Sequence, residues 1–108
     1  MAGVPWSERV VFDEGRAAKA DLWKGERLFA GLNCFLPGQS QHVHSHAGAD
    51  KFYLVLRGEG TFEVGGETFL ASAGELVAAP AGVPHGVRNE GPGSLVVLTV
   101  IAPPPSAK

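Results

Sequence analysis

The chain has 108 residues, 44% of them hydrophobic, and a formal net charge of −2. That length accommodates one domain with a modest core and no second one, and the nine Lys and Arg are scattered without a run, which argues against nucleic acid and anionic membrane surfaces as partners. No stretch approaches the roughly 18 apolar residues of a membrane span, the opening MAGVPWSERVV lacks the regions of a signal peptide, and the lone Cys34 has no internal disulfide partner, so a cytoplasmic location is expected.

Fifteen Gly and eight Pro cut the chain into short pieces rich in Val, Leu, Phe and Thr, an all-β pattern. In chain order, strands are expected at Arg9–Phe12, Ala20–Trp23, Leu28–Leu36, His42–His46, Lys51–Leu56, Gly60–Val64, Glu67–Ala71, Leu76–Ala79, Gly86–Asn89 and Leu95–Ile101. DEGRAAKA, Asp13 to Ala20, holds enough helix formers for one turn, with Gly15 limiting it. Gly65-Gly66 tolerates positive φ at both central positions and predicts a two-residue hairpin turn. The three successive prolines after Ala102 donate no backbone hydrogen bond, so residues 102–108 are expected to form a flexible or extended tail.

In KFYLVL, Lys51, Tyr53 and Val55 share one face while Phe52, Leu54 and Leu56 share the other, and both faces are bulky and apolar. One face lines the barrel and the other needs a cover. The candidates are N-terminal strands within residues 9–24, with Trp6 and Trp23, or the same surface of a second subunit.

His44 and His46 alternate on an expected strand, so their imidazoles leave the same face, and His85 arrives from a later turn. Three convergent imidazoles are a metal-ligand set. His42 shares their parity and sits either at the barrel mouth facing the ligand or in solvent. Asn89 is best read as an amide closing the loop after His85, Pro80 and Gly82 as shaping the turn that delivers it, Cys34 as a small buried hydrophobe, and Tyr53 and Phe62 as barrel lining.

These residues fall into two blocks. Gly38, His44, His46, Lys51 and Gly58 stand at the spacings of the first cupin motif, and Gly74, Pro80, Gly82, His85 and Asn89 match the second without a gap. The chain therefore resembles the cupin family, with strands between and around the motifs covering roughly residues 28–101. A register that begins the pair at His42 and His44 puts Gly38 and Gly58 out of step. The resemblance implies a single-domain double-stranded β-helix, a jelly-roll barrel. It also implies metal ligands His44, His46 and His85, and a homodimer.

Lys51 departs from the motif, which has a ligating Glu there. An ammonium 4 Å from a dication at an effective dielectric near 20 meets about 8 kcal/mol of repulsion. Either Lys51 swings to the barrel mouth, loses its proton, or no metal binds. The favoured arrangement is a swung-out Lys51 pairing with an anionic substrate, with a surface salt bridge to Asp50 or Glu63 as the alternative. Asp50 replaces the Glu only if a bulge reverses its parity. Imidazole-only ligation suits Zn, Fe, Ni or Cu.

Two function classes follow. One is an enzyme acting on a small anionic molecule, with a dioxygenase favoured over an isomerase because similar three-His iron cupins oxidise small thiols or diketones. Its catalytic candidates are His42, Lys51 and Tyr53, although no carboxylate stands at a motif position to act as general base. The other is a non-catalytic module that binds or senses a small ligand, with or without metal.

Overall fold

The computed structural model describes residues 3–105. After a 3-10 turn at Trp6–Glu8 come nine strands: β1 Ala18–Lys24, β2 Phe29–Phe35, β3 Ser40–His44, β4 Asp50–Arg57, β5 Glu59–Val64, β6 Glu67–Ser72, β7 Leu76–Ala79, β8 His85–Arg88 and β9 Leu95–Ala102. They form two antiparallel sheets, β1-β2-β9-β4-β7 and β3-β8-β5-β6. Among the described residues no helix is long and apolar enough to cross a membrane.

Alternation decides which side chains enter the barrel. On β4, Lys51, Tyr53 and Val55 are buried while Phe52, Leu54 and Leu56 are only half-buried. Tyr53 and Val55 join Phe35, Phe62, Val87 and Val97 in the core between the sheets. The Gly65-Gly66 turn, with φ of +60° and +87°, closes the β5–β6 hairpin as the sequence predicts.

Part of the outer face of the larger sheet is covered by the chain itself. Trp6, Val10 and Phe12 pack with Leu22 and Leu56 against Leu32, Cys34 and Val96. The Cys34 thiol is fully buried, and its burial raises its pKa. Trp23 does not contribute to this cover and is 51% exposed.

Three expectations need correction. Arg9–Phe12 is not a strand: Val10 and Phe12 pack partly buried against the larger sheet as an irregular segment. The helical turn at Asp13–Ala20 is absent: the Asp13 Oδ1 accepts the Gly15 N–H at 2.8 Å, Asp13 bridges Arg16, and β1 begins at Ala18. Asp at a turn start offers its own acceptor to the backbone and so competes with helix. The tail begins later than expected, since Ala102 is the last residue of β9. Residues 106–108 of that tail lie outside the described ones.

Candidate metal and ligand site

β3 and β8 pair antiparallel and place His44 directly opposite His85. Between the pairs Gln41–Val87 and His44–His85, β3 spends one residue more than β8, which is a β-bulge. Gly86 sits against it: a Cβ there would lie 3.0 Å from the Gln41 carbonyl oxygen and 3.1 Å from the Val43 Cα. The bulge changes the parity on which His42 was read. Gln41 and His44 are half-buried, whereas His42 is exposed and outside the three-imidazole cluster but lines the cleft beside it, as expected of a residue at the mouth.

β3 ends at His44, so His46 reaches the site from the following loop rather than from the strand. Its carbonyl accepts the Gly82 N–H at 3.0 Å. The loop that carries His46 is thereby tied to the turn that delivers His85.

The ligand nitrogens of His44, His46 and His85 lie within 4.8 Å of one another. Two of the rings are oriented by backbone. His44 Nδ1 lies 2.7 Å from the His42 carbonyl and His85 Nδ1 lies 2.9 Å from the Val83 carbonyl. A carbonyl only accepts, so each Nδ1 carries the proton and each Nε2 keeps its lone pair. His42 thus serves the site through its backbone. Burial lowers the pKa of His46 and of His85, and the nearby Lys51 lowers both further.

Lys51 is neither at the mouth nor in a surface salt bridge. It is 8% exposed, with Nζ 3.3 Å from His85 Nε2 and 4.8 Å from the centre of the Tyr53 ring. Inward strand parity and the attraction of the neutral imidazole and aromatic face hold it there. Burial brings its pKa down to about 8, with Lys19 adding to the effect. Asp50, on the opposite parity, is exposed and accepts the Ala81 N–H at 2.9 Å, so it supplies no substitute ligand.

Tyr53 is fully buried beside His85 and donates its hydroxyl to Gln41 Oε1 at 2.9 Å; burial raises its pKa. Asn89, also buried, donates to the Phe35 and Gly93 carbonyls and accepts from the Gly91 N–H, which is a loop-closing role. Sequence reasoning missed Gln41, Lys19, and the buried Asn33, which donates to Thr99. Asn33 had a signal, being a polar residue at the inward parity of an apolar strand. Gln41 became visible only with the bulge.

The family model that matches is the cupin domain, over residues 31–101. The chain is a cupin. It is 36% identical over 84 residues to an oxalate-binding protein of Thermotoga maritima, covering 78% of this chain and 69% of that one. The crystal structure of TT1209 from Thermus thermophilus superposes with a TM-score of 0.94 at 40% identity, covering 97% of this cupin and 100% of that chain. A predicted oxalate decarboxylase from Thermotoga maritima superposes with a TM-score of 0.76 at 27% identity, over 80% and 79% of the two chains.

Proposed function

We propose that this cupin binds a small carboxylate anion through a divalent first-row ion held by His44, His46 and His85. The donor set fits such an ion: two Nε2 lone pairs are preset, and an ion about 2.0–2.1 Å from each nitrogen needs only a modest closing of the rings. One adjustment is required, because the His85 lone pair that accepts from Lys51 cannot serve an ion at the same time. When bound, the ion supplies a Lewis-acidic centre with open positions for oxygen donors.

The observation that carries the reading is the sign of the charge. Three neutral imidazoles leave the full charge of a dication uncompensated, and Lys51 stands where the motif has a carboxylate. An anionic ligand restores the balance, and the relative named as oxalate-binding supports a small carboxylate as that anion. The three imidazoles are committed as ligands and no carboxylate joins the cluster among the described residues. The missing carboxylate base favours binding or sensing over isomerase chemistry, which has to move a proton.

Calorimetry with oxalate tests the reading. Zinc-loaded protein should bind it, and chelator-treated protein and His44→Ala/His46→Ala protein should not. Equal binding with and without the ion would overturn the proposal.

We also propose that a second copy covers the rest of the outer face. The N-terminal segment reaches Leu56 but leaves a groove lined by Leu28, Phe52, Leu76, Ala78 and Val100, in which Leu76 is 59% exposed. These five positions are apolar and form the centre of the contact, while Asp50 and Lys51 also line the groove, so an isologous contact must keep the two exposed Asp50 carboxylates apart at its edge.

A further inference from the structure

The imidazoles occupy one end of a larger space. A cleft of about 510 Å³ opens between the edge strands β1 and β3. That volume lies in the range of small-molecule sites, though the cleft is open on one side, and a two-carbon dianion would leave most of it to water.

Its walls divide by chemistry. His42, His44 and His46 line the cleft with Gln41, and Lys19 lines it from β1. Asn33 donates to Thr99 Oγ1, and the second amide N–H and the Thr99 hydroxyl keep donor capacity, so the two form a polar floor of the cleft. Phe29 and Ile101 supply apolar area. The Phe29 ring lies over Gly31, where a Cβ would come within 2.9 Å of two ring carbons, so the missing side chain at Gly31 gives the ring its place. Asp21, exposed on β1, also lines the cleft and opposes a second carboxylate there.

Building on the anion-binding reading, we propose that the ligand is a monocarboxylate with a 2-oxo or 2-hydroxy group and an uncharged apolar tail the size of a phenyl ring. The oxygen head lies at the imidazoles, with Lys19 facing its charge, and the tail lies against Phe29 and Ile101. Burying a phenyl group favours binding by about tenfold or more over the same head without it.

Calorimetry on zinc-loaded protein with pyruvate, phenylpyruvate, oxalate and 4-carboxyphenylpyruvate tests this. Phenylpyruvate should bind at least about tenfold more tightly than pyruvate, and the added carboxylate should remove that gain. Phe29→Ala, with Phe29→Leu as the milder change, should reduce the phenyl gain while leaving pyruvate affinity unchanged. Pyruvate or oxalate binding as tightly as phenylpyruvate to the unaltered protein would overturn the tail assignment and leave the anion reading standing. Binding of zinc without any of the four anions would overturn both.

Discussion

The Lys51 ammonium donates to Nε2 of His85 at 3.3 Å, in a site where the imidazole's other nitrogen is already tied to the Val83 carbonyl. Lys51 and a metal ion therefore compete for one lone pair. Replacing Lys51 with Met should remove the competitor and its positive charge, and tighten zinc by about tenfold. Lys51→Glu should tighten it further by adding a donor, and weaken anion binding because the ion is then partly neutralised. Competition titration against a zinc chelator measures the first effect, and calorimetry with oxalate measures the second. Unchanged zinc affinity in both variants would show that Lys51 does not contest the site.

The same burial makes the stability of the metal-free protein depend on pH. The native Lys51 pKa of about 8 lies below its ordinary 10.5, so the native state holds this proton less tightly than the unfolded chain. Below pH 8 both states are protonated and the cost of burying the charge is present in full. Between about pH 8 and 10.5 the native amine loses its proton first and stability rises, by on the order of 3 kcal/mol over the whole interval. Urea unfolding at pH 7 and pH 10 should show this rise in the native sequence and its absence in Lys51→Met. Parallel curves for the two proteins would contradict it.

Assembly is tested at Leu54, which shares the outward parity of Phe52 on β4. A dimer should scatter light as twice the 11.3 kDa chain, and Leu54→Asp should yield the monomer by placing an unpaired charge in an apolar contact. A native-sequence particle of monomer mass at micromolar concentration would rule the contact out.

Asn89 gives a contrasting expectation. Alanine there leaves the Phe35 and Gly93 carbonyls without their donor and the Gly91 N–H without its acceptor. The cost should be about 1–3 kcal/mol, read as a lower denaturation midpoint. Zinc stoichiometry should remain one ion per chain, since Asn89 closes the loop without presenting a ligand. Loss of stoichiometric zinc from a variant that is still folded would place Asn89 in the site.

The β class, the Gly65-Gly66 hairpin, the inward and outward faces of β4 and the three imidazoles that meet were all legible in the order of residues. Each rests on a local rule: alternation on a pleated strand, positive φ at paired glycines, or residue types at fixed spacing in two motifs. Other features arise only when distant strands meet. The bulge opposite Gly86 is a two-strand event, and it brings Gln41 into the cleft beside His42, which lines its exposed rim without joining the three-imidazole cluster. Lys51 is an ordinary surface residue by type, and only the joint presence of inward parity, the Tyr53 ring and an imidazole acceptor made burial against His85 its preferred state. Lys19 carried no signal at all, because its place beside the site depends on β1 pairing with β2 at the sheet edge. Neighbours in the chain settle which face a side chain leaves, but the free energy of a buried charge depends on partners that only long-range pairing assembles.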